Sequence, residues 1–167
     1  MKNNEYLRQK AAAIRMVLTD CDGVLTDTGV YYSADGEAFK RFSIRDGMGT
    51  ERLRNLAQLE TGIVTGERVG SVAHRAAKLK ITELHLGIKD KPKCFQEICE
   101  RRGIALSEIA YIGDDYNDLE VLKAVGLSAS PGDGMPGIRD QVDYVCEAKG
   151  GHGAFREFAE LIISLRG

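Results

Sequence analysis

Short apolar runs alternate along this chain with longer segments in which apolar residues recur every three or four positions. The short runs predict buried β-strands, and the longer segments predict amphipathic helices. Strands that alternate with helices are typical of a parallel sheet covered on both faces. The predicted strands lie at 14–19, 59–65, 84–86 and 110–112, with shorter ones near Leu127 and Tyr144. We therefore expect the α/β fold class.

Capping and helix-breaking residues set the predicted helix boundaries. Thr50 is expected to cap a helix that places Leu53, Leu56 and Ala57 on one face. The remaining predicted helices are one with Val72, Ala76 and Leu79 on one side, one with Pro92 in its first turn and Gly103 at its end, one over 117–125 closed by Gly126, and one over 154–165. We expect these inner faces to pack on the sheet.

One segment interrupts the alternation, namely VYYSADGEAFKRF at 30–42. Its central Asp35-Gly36 pair is typical of a two-residue turn between β-rich arms, so the segment predicts a β-hairpin. The hairpin follows the loop after the first strand. It should therefore project above the edge at which parallel sheets bind ligands.

Asp20 and Asp22 end the first predicted strand, in LTDCDGVL. Residues two apart in extended backbone point the same way, so both carboxylates should face one site. An EF-hand calcium loop also begins with this spacing, but it requires Gly at its sixth position and Glu at its twelfth. Here Gly23 is fourth and Tyr31 is twelfth, which excludes that kind of calcium site.

Other strand ends supply complementary groups. These are Thr65, Gly66 and Glu67 in IVTGE, Lys91 in GIKDKPK, and Asp114, Asp115 and Asp118 in AYIGDDYND. The carboxyl ends of parallel strands meet at one edge, so acids, a hydroxyl and an ammonium group should meet there. This combination is suited to phosphoryl transfer.

Each group has a plausible task in that chemistry. An ionised Asp20 can attack phosphorus, and Asp22 can give a proton to the leaving alkoxide and later deprotonate water. Carboxylates of Asp20 and Asp114, with the backbone carbonyl of Asp22, suit one Mg²⁺. Thr65 and Lys91 can bind the phosphoryl oxygens over which charge spreads.

Composition narrows the classes of function. The 167 residues fit one domain, and we expect 1–167 to form a single unit. The 23 basic and 25 acidic residues give a net charge of −2, so no overall field would attract nucleic acid or an anionic membrane. No apolar run reaches the length of a membrane helix, and the stretch from Met1 to Lys10 is too polar for a signal peptide. We expect a cytoplasmic protein with four reduced cysteines.

The motifs together resemble a known family. DCDGVLTD, the strand-end T-G, Lys91 and GDDYND resemble, in order and spacing, the four motifs of the haloacid dehalogenase (HAD) superfamily of phosphatases. Almost the whole chain is similar to the small-capped branch of 3-deoxy-D-manno-octulosonate (KDO) 8-phosphate and 2-keto-3-deoxy-nononate (KDN) 9-phosphate phosphatases. The resemblance implies a Rossmann-like HAD fold, with the hairpin in place of a cap domain and a C-terminal tail and helix at 149–167.

The same resemblance implies a role for each site residue. By this resemblance Asp20 would be the nucleophile and Asp22 the acid/base. Thr65 and Lys91 would bind the phosphate. Asp114 would be the second metal carboxylate, and Asp118 would orient the lysine or a metal-bound water. The implied cofactor is Mg²⁺. The implied activity is hydrolysis of a sugar acid phosphate through an aspartyl phosphate.

The resemblance also implies partners. In relatives without a large cap domain, the hairpins of four subunits assemble into a central barrel, and neighbours close each active site. A homotetramer is therefore expected, because a small hairpin alone cannot exclude water. Relatives send the tail, here 149–153, towards an adjoining subunit's site. Phosphatase-like domains of this branch also occur attached to CMP-sugar-acid synthetases, which suggests such an enzyme as a pathway partner.

Two local signals disagree on the length of the substrate. KDN 9-phosphate phosphatases read T-G-E followed by an Arg and a Lys three residues apart, and this chain has Glu67, then Arg75 and Lys78. These side chains can bind a carboxylate and hydroxyl groups, which favours nine carbons, as in KDN or N-acylneuraminate 9-phosphate. SIRDGMG around Asp46 is more similar to the eight-carbon enzymes. Gln58 stands where relatives often have a helix-ending Gly.

Plainer interpretations stay open. Lys91 is selected over Lys89 and Lys93 by spacing alone. A basic helix face without a substrate is the alternative interpretation of Arg75 and Lys78. The glycine-rich tail around its one histidine is either a substrate-closing segment or a linker. Two other functions remain: a phospho-receiver domain, which gathers similar acids around a phosphorylated aspartate, and a catalytically idle partner module.

Overall fold

A central parallel sheet organises the part of the chain that the computed structural model describes, residues 4–68 and 70–167. The strands are β1 (Met16–Thr19), β2 (Thr26–Ser33), β3 (Gly36–Phe42), β4 (Glu60–Val64), β5 (Glu83–His85), β6 (Ile109–Ile112), β7 (Leu127–Ser130) and β8 (Tyr144–Val145). All except β2 and β3 form one sheet in the order β5-β4-β1-β6-β7-β8, and every pairing in it is parallel. The predicted α/β class is confirmed.

Helices cover both faces of this sheet. They are α1 (Asn4–Ala13), α2 (Ile44–Arg52), α3 (Gly70–Lys78), α4 (Lys91–Arg102), α5 (Leu119–Ala124), α6 (Pro136–Arg139) and α7 (Ala154–Arg166). A π-helical turn at Leu53–Ala57 continues α2, and short 3₁₀ turns lie at Leu106–Glu108 and Tyr116–Asp118. The four sequence motifs thus belong to a parallel sheet that helices cover on both faces.

The sheet separates two apolar cores. Alternate strand residues point to opposite faces, so Val17 packs in one core and Leu18 in the other. Helices α1, α3 and α7 cover the first core, where Phe155 and Phe158 are fully buried, while α4, α5 and α6 cover the second. Burial on both faces explains why these strands read as continuous apolar runs.

The expected hairpin is formed by β2 and β3, which pair antiparallel outside the main sheet. It begins four residues earlier than predicted. Ser33 pairs with Gly36, so the turn residues are 34–35, and the predicted Asp35-Gly36 turn is wrong by one position. The Ser33 hydroxyl accepts a hydrogen bond from the Asp35 amide at 3.2 Å, which supports the earlier turn. Gly36 still supplies a positive φ, +112°.

The helix predicted to start at Thr50 starts seven residues earlier. The hydroxyl of Ser43 accepts a hydrogen bond from the Arg45 amide at 3.1 Å and caps α2, so Thr50 is an interior residue. The expected inner face is also wrong in part, because Leu56 is 58% exposed. The π-helical turn widens the backbone at this point, which shifts side chains away from the 3.6-residue period.

Several helix ends agree with the sequence, and others do not. Gly103 ends α4 in the left-handed conformation, as predicted. Gln58 takes the same conformation, φ +55° and ψ +36°, which Gly most often supplies at a helix end. The helix expected over 117–125 divides into a 3₁₀ turn and α5. Helix α1 was not predicted, because only Leu7 and Ala11 are buried along it.

Two further expectations concern the chain as a whole. All four cysteines are free, in agreement with reduced thiols. Among the described residues, we find no helix with the length and apolar character that a membrane crossing requires. The polar stretch that begins at Met1 is described only from Asn4, so its first three residues lie outside the described chain.

Candidate active site

The first acidic loop lies at the centre of the sheet edge. The Asp20 amide donates to the Ile112 carbonyl at 3.0 Å, and its Oδ1 accepts from the Cys21 amide at 2.7 Å, so both backbone and carboxylate are held. Gly23 then turns the chain with φ +82°. A Cβ at Gly23 would lie 1.9 Å from Asp114 Oδ2, so the loop can approach the end of β6 only with glycine there.

Lys91 lies under this loop at the start of α4. Its side chain is 2% exposed, and Nζ lies 3.1 Å from Asp20 Oδ2. It donates to Asp118 and also to the hydroxyl of Tyr111, the latter at 3.2 Å. Among the three lysines near 89–93, Lys91 is thus the one that the structure brings to Asp20, whereas Lys89 and Lys93 are exposed.

Asp118 organises this end of the sheet. Its Oδ1 accepts from Lys91 and from the Tyr111 hydroxyl, the latter at 2.5 Å, and its Oδ2 accepts from the Asp114 amide at 3.1 Å. The structure places Asp118 against Lys91, a contact compatible with the first of its two expected roles, which were to orient the lysine or a metal-bound water. Tyr111 is a site residue that sequence reasoning missed. The sequence signal that could have identified Tyr111 was its hydroxyl group, the one polar side-chain group in the otherwise apolar strand β6.

The site holds more negative than positive charge in its buried part. Burial raises the pKa of Asp20 to about 7, and the charge of Asp118 adds to this while Lys91 opposes it. Burial, followed by the charges of Asp20 and Asp118, raises the pKa of Asp114 to about 8. Burial alone would lower the pKa of Lys91, but Asp20 and Asp118 offset this and hold it above its ordinary value. One ammonium group thus faces three carboxylates.

This arrangement can hold a metal ion. Asp20, Asp114 and Asp118 each offer a carboxylate oxygen, and these oxygens lie within 4.8 Å of one another. Asp20 and Asp114 line the cavity, whereas Asp118 is fully buried behind it, so Asp20 and Asp114 are the better placed ligands. Oxygen donors of this kind suit Mg²⁺. A divalent cation would offset the surplus charge and favour the ionised carboxylates.

Asp22 has different surroundings from Asp20. Its side chain is 30% exposed and faces the cavity instead of the buried acids. Thr26 donates to its Oδ1 at 3.2 Å, and Lys40 donates to its Oδ2 at 2.7 Å. Lys40 is a second residue that sequence reasoning missed. The sequence signal that could have identified it was a lysine at an inward-facing position of β3.

A cavity of about 530 Å³ opens above these groups. Three sequence-predicted residues from the end of β4, Thr65, Gly66 and Glu67, line it together with the acidic loop. Hairpin residues form the opposite wall, including Glu37 and Lys40. The size suits a small molecule, but the lining carries six carboxylates and one ammonium group, so an anionic molecule would need a cation such as Mg²⁺ bound beside it.

Two predicted substrate-binding residues do not lie on this cavity within one chain. Arg75 donates to the Ser43 carbonyl at 2.8 Å and lies over the ring of Phe42. Lys78 is exposed and lines a separate surface depression near Gly47. Both side chains lie on α3 and neither lines the cavity, so their spacing along the chain does not bring them to the other site residues.

Asp46, the centre of the segment that suggested an eight-carbon substrate, is also away from the cavity. It is 2% exposed and accepts hydrogen bonds from the amides of Gly153 and Arg156, at 3.2 and 2.9 Å. Its carboxylate therefore binds the first turn of α7. Asp46 thus has a structural role within its own chain, which is to hold the start of α7.

The tail at 149–153 packs on the acidic loop of its own chain. The Gly151 amide donates to the Val24 carbonyl at 2.8 Å, and a Cβ at Gly150 would lie 1.9 Å from the Gly23 carbonyl oxygen. His152 is exposed and lies beside Ser43 and its neighbours instead of on the active-site cavity. The glycines are thus needed for close backbone contact.

Sequence comparisons agree with this geometry. Residues 31–126 match the model of the haloacid dehalogenase-like hydrolase family. The chain is 39% identical over 158 residues to the 3-deoxy-D-manno-octulosonate 8-phosphate phosphatase KdsC of Escherichia coli strain K12, which covers 95% of this chain and 84% of that protein. It is 36% identical over 161 residues to KdsC of Haemophilus influenzae, covering 96% and 89%.

Solved structures show the same fold. The 3-deoxy-D-manno-octulosonate 8-phosphate phosphatase of Moraxella catarrhalis, in complex with magnesium, phosphate and KDO, superposes with a TM-score of 0.94 at 34% identity over 99% of this chain and 94% of that one. The cobalt-bound enzyme of Haemophilus influenzae gives 0.91 at 36% identity, covering 95% and 92%. The length of the family match and the identity to these relatives show that this chain belongs to the haloacid dehalogenase-like hydrolases.

Proposed function

We propose that this protein is a Mg²⁺-dependent phosphatase that hydrolyses the terminal phosphate monoester of a 2-keto-3-deoxy sugar acid. The observation that carries this proposal is the position of Asp20, with Lys91 Nζ at 3.1 Å and the Asp114 carboxylate on the buried side of a cavity of about 530 Å³. A carboxylate held between a buried ammonium group and a second acid is arranged to attack phosphorus.

The first step forms a covalent intermediate. A carboxylate oxygen of Asp20 forms a bond to phosphorus, and the bond from phosphorus to the sugar oxygen breaks. Asp22 gives its proton to that oxygen, which leaves as an alcohol. Its carboxyl group faces the cavity, where the sugar would lie.

The second step returns the enzyme to its starting state. Asp22, now ionised, takes a proton from a water molecule as the water oxygen attacks phosphorus. The bond between phosphorus and Asp20 breaks, and inorganic phosphate leaves. Thr65 and Lys91 bind phosphoryl oxygens in both steps, because one lies on the cavity wall and the other directly beneath the nucleophile.

The metal site of this proposal consists of Asp20, Asp114 and the backbone carbonyl of Asp22, with Asp118 as a supporting acid. Bound Mg²⁺ would neutralise phosphate charge and so permit the approach of an anionic nucleophile. Asp118 keeps Lys91 in place through its Oδ1. Asp115 is exposed and acts as a capping acid for the following 3₁₀ turn.

The first substrate to test is KDO 8-phosphate, since relatives at 36–39% identity over most of the chain are phosphatases of that compound. A nine-carbon acid phosphate is the second candidate. Glu67 lines the cavity and can accept hydrogen bonds from additional hydroxyl groups. Arg75 and Lys78 enter this proposal only as residues that a neighbouring subunit's site could use, because they lie off the cavity of their own chain.

The decisive experiment measures phosphate release from KDO 8-phosphate, KDN 9-phosphate and N-acylneuraminate 9-phosphate, with Mg²⁺ and with EDTA. We expect turnover of at least one ester with Mg²⁺ only, and a loss on the order of 10³-fold or more in Asp20→Asn. Lys123→Met, a change at an exposed position of α5, is the control and should retain full activity. No release from any of the three esters would refute the proposal.

A phospho-receiver domain would give a different result in the same assay. It would form an aspartyl phosphate on Asp20 that persists without turnover, and this can be detected by mass spectrometry after reaction with a small phosphodonor. An idle partner module would form none. Burial of Asp20, Lys91 and Asp118 together supports turnover over both alternatives.

Assembly is part of the proposal. A homotetramer would cover the apolar side chains of the hairpin, among which Tyr32 is 74% and Phe39 is 57% exposed. It would also bring neighbouring surfaces to each open cavity. A CMP-sugar-acid synthetase, which would use the dephosphorylated sugar acid, is the proposed pathway partner.

A further inference from the structure

A buried lysine on the hairpin has no role in the mechanism so far. Lys40 lies on β3, opposite Val30 of β2, and its side chain is 1% exposed. The residue before it on the strand, Phe39, is 57% exposed. The hairpin is thus mostly open to its surroundings, and Lys40 is the basic side chain that it directs into the active-site cavity, beside the acidic Glu37.

Burying an ammonium group is costly unless it is paired, so the partners of Lys40 are informative. Its Nζ donates to Asp22 Oδ2 at 2.7 Å and lies 3.6 Å from Glu37 Oε1. An apolar side chain at this position could hold the hairpin on the domain without that cost. The arrangement therefore indicates a task at Asp22 and not only in packing.

Both oxygens of Asp22 are held by the hairpin. Thr26, the first residue of β2, donates to Oδ1 at 3.2 Å, while Lys40 of β3 holds Oδ2. Thr26 also accepts from the Gly23 amide at 3.3 Å, which ties the acidic loop to the same strand. The two strands at the base of the hairpin thus fix the carboxyl group from two directions.

We propose that Lys40 is a positioning residue, which holds the Asp22 carboxyl group in the orientation that proton transfer to and from the substrate oxygen requires. The inference rests on the proposed function of Asp22. Without Lys40, only the Thr26 hydroxyl would hold the Asp22 side chain, which is 30% exposed, against turning towards solvent. Misplacement of a reacting group by about 1 Å can cost on the order of 100-fold in rate.

The leaving group of the substrate provides a specific test. A sugar alkoxide needs a proton to leave, whereas p-nitrophenolate does not, so the two esters differ in their dependence on Asp22 at the step that kcat/KM reports. In Lys40→Met, we expect kcat/KM for the preferred sugar acid phosphate to fall about 10- to 100-fold. For p-nitrophenyl phosphate we expect a fall of less than about threefold.

Three variants complete this test. Lys40→Arg keeps the charge and should recover part of the lost activity on the sugar ester. Lys123→Met makes the same chemical change at an exposed helix position and should leave both esters unaffected. Thr26→Val removes the other hydrogen bond to Asp22 and should produce a smaller loss with the same dependence on leaving group. If Lys40→Met fails to fold, Thr26→Val still tests whether the hydrogen bonds from the hairpin position Asp22.

A double variant shows whether Lys40 acts through Asp22. If it does, Asp22→Asn combined with Lys40→Met should be no slower on the sugar ester than Asp22→Asn alone, because the second change removes nothing further. Losses that multiply would overturn the inference and assign Lys40 to direct substrate binding. Equal losses on the sugar and the aryl ester would also overturn it.

The two proposals fail in different ways. An inactive wild-type protein would refute the proposed function itself. An active wild-type protein that Asp20→Asn inactivates, but that Lys40→Met leaves unchanged on the sugar ester, would keep the function and refute the role of Lys40.

Discussion

At the scale of single residues, the site depends on hydrogen bonds that satisfy its buried charged side chains. Asp118 receives bonds at both oxygens, and Lys91 is shared among Asp20, Asp118 and the Tyr111 hydroxyl. A buried charge with this many partners cannot turn to an alternative position without leaving one of them unpaired. Asp20 is therefore held by Lys91, whose own position is fixed by Asp118 and the Tyr111 hydroxyl.

Tyr111→Phe tests this network, since it removes one hydroxyl group and keeps the ring that packs edge-on against Phe95. We expect a loss of about 1–2 kcal/mol in the free energy of unfolding, because the bonds to Asp118 and Lys91 disappear. We expect kcat to fall about threefold to tenfold with little change in KM, as Lys91 becomes less well placed. Urea unfolding and steady-state kinetics measure the two effects. Unchanged values in both would show that the hydroxyl is dispensable.

At the scale of elements, α2 and α7 depend on each other through one carboxylate. The residue that precedes α7 is Gly153, which has no side chain to cap the helix. Asp46 of α2 supplies the missing acceptor to the amides of Gly153 and Arg156. A negative charge at a helix N-terminus is favourable, so this contact both satisfies amides and complements the helix dipole.

Asp46→Ala should therefore destabilise the fold by about 1–2 kcal/mol, the usual cost of losing a helix cap. Asp46→Asn, which keeps an acceptor oxygen without the charge, should cost less. Thermal unfolding followed by circular dichroism gives both values. Substrate preference among the three sugar acid phosphates should not change in either variant, and a change in preference would instead support the reading of this segment as a substrate selector.

At the scale of the whole molecule, the hairpin has two faces with different tasks. Val30, Tyr32, Glu37 and Lys40 line the cavity, whereas Tyr31 and Phe39 pair across the strands on the other face with ring centroids 4.7 Å apart. Tyr31 and Phe39 are about half exposed, at 48% and 57%. Such an outward apolar pair is typical of a surface that another subunit covers.

Replacing both residues, Tyr31→Ser with Phe39→Ser, should convert the proposed tetramer to smaller species. Light scattering coupled to size-exclusion chromatography measures the mass against the 18.3 kDa chain. Leu56→Ser changes an equally exposed apolar side chain away from the hairpin and should leave the assembly intact. If wild-type protein elutes as a monomer at concentrations where it is active, neighbours are not needed to close the site.

The sequence could predict the ends of the central strands and the acids on them because burial on both faces leaves a clear apolar signal. Asp20 and Thr65 follow such strands directly, Asp114 follows one after a single glycine, and Lys91 begins the helix after β5; the parallel sheet then gathers them at one edge. Residues within helices carry a weaker signal. Arg75 and Lys78 share a helix with the expected spacing, but Arg75 binds the Ser43 carbonyl and Lys78 lines a separate depression, so neither reaches the cavity of its own chain.

By itself, then, the sequence determined which strands exist, in what order their ends carry acids, and which chemistry those acids suit. Only the tertiary structure decided the contacts between distant segments, such as Lys40 with Asp22, Tyr111 with Lys91, and Asp46 with α7. The physical reason is that local periodicity encodes burial one element at a time, whereas the pairing of polar groups across elements depends on how those elements pack.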